Sequence, residues 1–316
     1  MRKLDPFLLS LIAAIALATF LPCRGSAASA LSSLTTLCIA IMFFLQGAKL
    51  EPLAVIESVR DWRLQGSVLA CTFLLFPILG LALNFTFPHL LQSDMWRGVL
   101  FLCCLPSTVQ SSTALTSIAR GNVPASICAA TLSNLAGIIL TPILVTLILQ
   151  HGGAWSGRAI IDVATQLLLP FIIGQFLHTR IGGWVKEHKS LISLTDRGSI
   201  VLVVYTAFSH AVVEGIWHRV SLADLLITFA VDLALLGGVL AFTHSLGKKL
   251  GFSNASIISL NFCGSKKSLA SGVPMANVLF PTAVVGTVVL PLMIYHQLQL
   301  FICTLLARHY SRRSGA

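Results

Sequence analysis

Acidic residues are scarce in this chain. Its 316 residues include only 11 Asp and Glu against 21 Lys and Arg, and charged residues make up 10% of the total. Soluble domains carry about 25% charged residues, so the composition excludes an ordinary soluble protein. The net charge of +10 would suit a nucleic-acid binder, but no basic cluster is interleaved with aromatic residues. We therefore expect no nucleic-acid partner.

Sequence signatures of catalysis and metal binding are also missing. The sequence contains no HExxH, no GxSxG and no carboxylate pair in a catalytic context, so we expect no enzyme. The eight cysteines form no CxxC and fall mainly within apolar stretches, where they serve as small packing residues. We expect no cofactor, no structural metal site and no disulfide framework.

Apolar residues dominate what remains, at 56% of the chain. A bilayer core about 30 Å thick takes about 20 helical residues to cross. Ten stretches meet this length, near residues 5–22, 31–50, 64–86, 96–119, 123–149, 158–179, 198–217, 222–245, 253–279 and 282–307. The sequence predicts an all-α polytopic membrane protein with ten transmembrane helices and no soluble partner domain.

Basic residues fall mostly on one side of this arrangement. With the N-terminus inside, the inner segments hold most of the Lys and Arg residues and the outer segments hold few. This bias follows the positive-inside rule, which places both termini in the cytoplasm. We expect an integral protein of the bacterial inner membrane.

A polar segment interrupts the ninth apolar stretch, where residues 259–280 read SLNFCGSKKSLASGVPMANVLF. Lys266 and Lys267 lie at membrane depth, where a cation costs about 2.5–3.5 kcal/mol on insertion scales. Three explanations stay open. One lysine takes the position of a coupling cation and exchanges a proton, one binds an anionic substrate, or both are structural and pair with Asp232. Asp232 is itself either that partner or a proton-carrying group.

A second polar cluster lies in the fourth stretch, and both clusters predict broken helices. Serine and threonine hydroxyls compete for backbone carbonyls, and such helices tend to break at mid-membrane. A break exposes partial positive charge at one helix end and free carbonyls at the other. Any single hydroxyl also suits helix packing, but two clusters in corresponding positions favour a site. The expected breaks are at Pro106, Gly264, Gly272 and Pro274.

The two halves of the chain show a short internal similarity. Residues 111–123, SSTALTSIARGNV, align with residues 265–278, SKKSLASGVPMANV, with one extra residue in the second. Five crossings per half make the second half enter the membrane in the opposite sense. We predict two inverted five-helix repeats, residues 1–150 and 151–316.

Several segments of the chain resemble the bile acid:sodium symporter superfamily, solute carrier family ten. These are FCGSKKSLA at 262–270 with G-x-P at 272–274, ARGNV at 119–123 and TPIL at 141–144. The resemblance covers essentially the whole chain and is closest to the branch that carries this FCGSKKSLA-type stretch. It implies a panel domain of helices 1, 2, 6 and 7 and a core domain of helices 3–5 and 8–10. It also implies that helices 4 and 9 are unwound and cross.

The resemblance further implies a sodium-coupled transporter that moves an organic anion, of the bile acid type or another small solute, by alternating access. Its sodium ligands carry over in part, to Ser112, Thr113, Ser126, Asn261 and Ser265. The wider set for cation or substrate adds Gln110, Thr131, Lys266, Lys267 and Ser268. The family's ninth-helix glutamate falls on Asn261, so its carboxylate is missing.

Three functions therefore stay open. The first is sodium-coupled symport. The second is proton-coupled or sodium-independent transport with a lysine as a built-in cation. The third is a membrane regulator of ion homeostasis that keeps the transporter fold.

Overall fold

A computed structural model describes residues 6–49, 61–149, 164–215 and 220–313 of the protein. Within these ranges all regular structure is helical. Six helices are long and apolar enough to cross a membrane, or seven if one bent pair is counted as a single span. Two shorter apolar helices cover Leu9–Phe20 and Thr165–Phe176. The predicted all-helical class with membrane-spanning helices is confirmed.

The helices are numbered here in chain order. They are α1 (Pro6–Phe20), α2 (Gly25–Lys49), α3 (Trp62–Thr86), α4 (Ser93–Cys104), α5 (Val109–Ile118), α6 (Val123–Leu149), α7 (Leu169–Phe176), α8 (His178–Glu187), α9 (Lys189–Val213), α10 (Leu222–Lys249), α11 (Asn254–Gly264), α12 (Leu269–Leu279) and α13 (Thr282–Arg313). The described residues include two π-helical turns, Cys71–Leu75 within α3 and Ala164–Leu168 before α7.

The chain divides into two compact units, each described by itself. The first comprises Met1–Glu51, Gly153–Ser221 and Val273–Val289. In this unit α2 packs against α7 and α9, and α1 packs against α9. Gly47 and Gly174 allow the backbones of α2 and α7 to touch, since a Cβ on either would overlap a carbonyl of the other helix. Thr35 and Thr206 share a buried 2.9 Å hydrogen bond between α2 and α9.

The second unit comprises Pro52–Gly152, Leu222–Gly272 and Leu290–Ala316. Its described residues contain two helix breaks. The first separates α4 from α5, which bend by 64° around residues 105–108. The second separates α11 from α12 over residues 265–268. The predicted domain boundary at residues 150 and 151 lies outside the described residues.

The break positions agree only in part with the expectation. Pro106 lies in the first break, and Gly264 ends α11 at the second. By contrast, α12 runs through both Gly272 and Pro274. Pro274 is the sixth of the 11 residues of α12, and its missing N–H removes one intrahelical bond without ending the helix. A Cβ on Gly272 would overlap the side chains of Leu105 and Leu292, so this glycine serves close packing.

Candidate functional site

Helix α4 ends because Pro106 cannot continue it. Proline lacks an N–H and forces the residue before it into extended backbone, and Leu105 has φ −78° and ψ 153°. The last carbonyls of a helix need other donors. The carbonyl of Cys104 accepts a hydrogen bond from Thr141 Oγ1 at 2.8 Å, and that of Pro106 accepts one from the Ser268 N–H at 2.9 Å.

The carbonyls at the end of α11 find donors on the first break. Ser112 Oγ donates to the Phe262 carbonyl at 3.1 Å, and Ser107 Oγ donates to the Cys263 carbonyl at 2.6 Å. Both hydroxyls belong to the polar cluster that the sequence places in the fourth apolar stretch. Side chains of one broken helix therefore satisfy the backbone carbonyls of the other by hydrogen bonds. Within a membrane such carbonyls need donors from the protein, because lipid offers none.

Two further hydroxyls complete the end of α11. Ser265 Oγ donates to the Asn261 carbonyl at 2.5 Å, which caps the helix within its own chain segment. Tyr295 of α13 donates its phenolic hydrogen to the Ser265 carbonyl at 2.6 Å. Tyr295 is fully buried, so this bond has no competition from water.

Lys267 lies in the second break, and its side chain is fully buried. Its Nζ donates to the carbonyls of Thr72 at 2.9 Å, Cys103 at 2.8 Å and Leu105 at 2.7 Å. Three donated bonds need three N–H groups, so the geometry is that of a charged ammonium. The same atom lies 4.1 Å from the ring centroid of Phe76, a further attraction to a cation.

The Thr72 carbonyl is available because of the π-helical turn. The Phe76 N–H bonds to the carbonyl of Cys71, one residue earlier than α-helical spacing would give. The next donor in that register would be residue 77, which is proline and has no N–H. Cys103 and Leu105 lie on either side of the last residue of α4, where backbone carbonyls have no intrahelical N–H donor. The ammonium therefore joins three carbonyls that local sequence leaves without backbone donors.

The backbone of Lys267 is held by one side chain. Gln299 of α13 accepts from the Lys267 N–H at 2.8 Å and donates to its carbonyl at 2.9 Å. Gln299 and Tyr295 are four residues apart, so both project from one face of α13. The sequence prediction missed these two residues. Polar side chains at helical spacing in the apolar tenth stretch are the signal that could have identified them.

Lys266 is also fully buried, but its surroundings differ. Its Nζ donates to Ser111 Oγ at 3.3 Å. Ser111 Oγ in turn lies 2.6 Å from Thr108 Oγ1, which lies 3.1 Å from Ser112 Oγ. Ser111 and Thr108 are half-buried, and neighbouring Gln110 is exposed. This hydroxyl cluster, formed by Thr108, Ser111 and Ser112, therefore meets Lys266 at the edge of the buried site.

The predicted sodium ligands are only partly brought together. Ser126 Oγ contacts Cys263 Sγ at 3.0 Å, next to the carbonyls that Ser107 and Ser112 cap. Thr113 Oγ1 instead donates to the Val109 carbonyl of its own helix at 2.8 Å. Asn261 donates to Tyr310 at 3.0 Å, while its Oδ1 is buried without a hydrogen bond among the described residues.

The remaining candidates lie near the second break or on α6. Ser268 Oγ accepts from the Ser271 N–H at 3.2 Å and so caps α12. Thr131 is half-buried on α6. Asp232 is fully buried on α10, and neither of its oxygens has a hydrogen-bond partner in the described part of the chain. The ion pairs in that part are Lys49 with Asp196 and Arg97 with Asp94, so Asp232 pairs with neither lysine there.

In this structure two broken membrane helices satisfy each other's hydrogen-bonding groups around buried charged side chains. This arrangement is typical of membrane transport proteins. The chain belongs to the SBF-like CPA transporter family, whose model matches residues 5–312. It is an integral membrane protein of this family, and the resemblance to the bile acid:sodium symporter superfamily is confirmed.

Relatives span nearly the whole chain. "Uncharacterized protein PA2026" of Pseudomonas aeruginosa is 51% identical over 314 residues, covering 98% of this chain and 93% of its own. "Putative symporter YfeH" of Escherichia coli strain K12 is 48% identical, covering 99% and 95%. "Sodium/bile acid cotransporter 7" of Rattus norvegicus is 25% identical, covering 95% and 90%.

Proposed function

We propose that this protein is a secondary transporter of an organic anion that works without sodium, because the Lys267 ammonium serves as its built-in cation. The observation that carries the proposal is the set of three carbonyls, at 2.7–2.9 Å, around Lys267 Nζ. Carbonyls at the end of a broken helix carry partial negative charge and attract a cation. The ammonium of Lys267 supplies the positive charge that these carbonyls attract, so no dissolved cation is needed.

The composition of the candidate sodium site supports the same proposal. Ser112, Thr113, Ser126, Asn261 and Ser265 are all neutral, so sodium would meet oxygens but no carboxylate. Hard cations accept neutral oxygens, but carboxylates add the attraction that such sites normally use. Lys266 and Lys267 are buried in the same break, and their charges would repel a bound cation.

Lys266 is the group that we assign to the anion. Its one hydrogen bond in the described part of the chain, to Ser111, leaves further N–H groups of an ammonium able to donate. The hydroxyl cluster lies at the start of α5, whose first N–H groups have no side-chain cap from Thr108. A carboxylate or sulfonate would match these donors and the partial positive charge of the helix start.

The architecture proposed for this activity has ten crossings in two inverted repeats, residues 1–150 and 151–316. The six long helices, the bent pair and the shorter apolar helices support it. The two units support a panel of predicted spans 1, 2, 6 and 7 and a core of predicted spans 3–5 and 8–10, except that Val273–Val289, from the ninth and tenth spans, falls in the first unit. We propose alternating access in the bacterial inner membrane, with both termini in the cytoplasm.

Sodium-coupled symport is the second candidate. It is favoured by the name of the rat relative, a sodium/bile acid cotransporter, and by the name of the Escherichia coli relative, a symporter. Asn261 Oδ1 also offers a buried acceptor without a hydrogen bond in the described residues. A cation there would gain one ligand that no donor among the described residues competes for.

Uptake into proteoliposomes tests these functions. Taurocholate and smaller carboxylates are supplied with a sodium gradient, a proton gradient or neither. Uptake that is indifferent to sodium supports the proposal, and sodium-driven accumulation supports the second candidate. In Lys266→Gln we expect a raised KM for the anion, with Lys49→Gln, at an exposed ion pair, as the matched control. Absence of flux with every anion tried would favour the regulator instead.

A solute-independent test uses thermal unfolding. Lys267→Ala removes the ammonium and leaves room at three carbonyls, so sodium should raise the Tm of this variant. The wild-type protein, whose carbonyls are already occupied, should not respond to sodium beyond a choline control. A clear sodium response of the wild-type protein would contradict the built-in cation.

A further inference from the structure

Asp232 lies deep within the second unit. It is the eleventh residue of the 28-residue helix α10, about 15 Å along the axis from the start of the helix. It belongs to a buried face that continues along α10, formed by Thr228, Val231, Asp232, Leu235, Leu236 and Val239. Its exposed fraction is 0%, and both carboxylate oxygens lack a hydrogen bond among the described residues.

The groups around Asp232 do not neutralise it. Among the described residues, the titratable groups close enough to interact with it electrostatically are Cys103 of α4 and Tyr295 of α13. The Tyr295 hydroxyl hydrogen is already donated to the Ser265 carbonyl, and Lys267 uses its three N–H groups on carbonyls. On α3, which also packs against α10, Cys71 interacts with Lys267.

The other neighbouring helix, α11, also offers no cation to Asp232. Its titratable side chain is Cys263, which interacts with Lys266 and contacts Ser126. An ionised carboxylate that is buried without a counter-charge or hydrogen bonds costs several kcal/mol, whereas the protonated group is neutral. Because Asp232 is buried and has no partners among the described residues, its carboxyl group holds a proton in this conformation.

We propose that Asp232 is the proton-carrying group of the transporter, so that a proton accompanies the anion in each cycle. The proposal rests on the proposed transport function and adds the coupling ion to it. In this conformation Asp232 is sealed and protonated, and in a conformation that admits water to α10 it exchanges its proton. On one side of the membrane the carboxylate takes a proton from hydronium, so that a carboxyl O–H bond forms and an O–H bond of hydronium breaks. On the other side the carboxyl O–H bond breaks and water accepts the proton as hydronium.

The roles of the buried charges then separate. Lys267 is a fixed cation whose three bonds hold the break together, and Lys266 meets the anion. Asp232 titrates during the cycle because, unlike Lys267, it has no partners among the described residues that bind its charged form. Movement of a singly charged anion together with a proton transfers no net charge across the bilayer.

The experiment compares wild-type protein with Asp232→Asn, which keeps the shape of the side chain but cannot carry a proton. Asp224→Asn is the matched control, since Asp224 lies on the same helix and accepts a hydrogen bond from Gln92 at 2.9 Å. Each protein is reconstituted with taurocholate as the probe. Two rates are measured, namely accumulation driven by a proton gradient and exchange of labelled for unlabelled anion at equal pH.

We expect Asp232→Asn to lose proton-driven accumulation at least tenfold while it retains exchange, and Asp224→Asn to keep both. Infrared spectra of purified protein should show a protonated carboxyl band that only Asp232→Asn removes. Proton-driven accumulation that persists in Asp232→Asn, or a wild-type spectrum without this band, would overturn the proposal. Absence of exchange in the wild-type protein would instead refute the transport function, and the carrier role with it.

Discussion

Replacement of Lys267 by methionine is the most direct probe of the second break. Methionine has a long unbranched side chain, so it fills most of the same volume without a charge or N–H group. The variant leaves the carbonyls of Thr72, Cys103 and Leu105 without the donor that each has in the wild-type protein. All three belong to a site that water does not reach, since Lys267 is fully buried.

The magnitude follows from those three carbonyls. Each buried polar group left unsatisfied costs about 1–3 kcal/mol, so the three together cost about 3–9 kcal/mol. Burial of the ammonium itself is unfavourable, and its removal offsets part of this loss. We therefore expect a net loss near the lower bound, about 3 kcal/mol, which corresponds to a Tm lower by about 6 °C or more.

Thermal unfolding in detergent, followed by tryptophan fluorescence, measures this effect. Lys49→Met is the matched control, because Lys49 is 36% exposed and forms a surface ion pair with Asp196. Such pairs contribute about 0–1 kcal/mol, so the control should unfold close to the wild-type Tm. A Lys267→Met variant within about 1 °C of the wild-type protein would refute the assignment of Lys267 as the cation that holds the three carbonyls.

Two other variants test the packing and hydrogen bonds of the same unit. Gly137→Ala places a Cβ within 2.6 Å of the rigid Pro106 ring, so we expect overpacking of about 1–3 kcal/mol and a lower Tm, whereas Gly66→Ala, with open space, should not lower it. Tyr295→Phe removes the donor to the buried Ser265 carbonyl and should lower Tm by more than Tyr205→Phe, whose hydroxyl bonds an exposed carbonyl. Equal Tm values within either pair would contradict the reasoning.

The class of the protein could be predicted because it depends on composition. Apolar stretches of about 20 residues and few charges suit only a bilayer. The break at Pro106 was also predictable, since proline removes a donor wherever it stands. Gly272 and Pro274 were expected to break α12 for the same local reason, but the helix continues through them. Whether a local weakness becomes a break depends on which partners are available to satisfy the freed groups.

The two adjacent lysines show the same limit of prediction from local sequence. Their presence at membrane depth, and hence a functional site, was evident from the sequence alone. Lys266 and Lys267 are indistinguishable there, and pairing with Asp232 stayed open. The structure separates them, since one ammonium meets a hydroxyl cluster and the other meets three carbonyls.

The sequence by itself determined the membrane class, the family and the polar segments of two helices, because these depend on residue types and on spacing along the chain. Only the tertiary structure decided which groups satisfy one another. The donors to the carbonyls of the second break come from Ser107, Ser112, Tyr295 and Gln299, and the acceptors of the Lys267 ammonium come from α3 and the end of α4. These partners are far apart in the chain, and the low dielectric of the membrane makes each pairing obligatory once the helices pack.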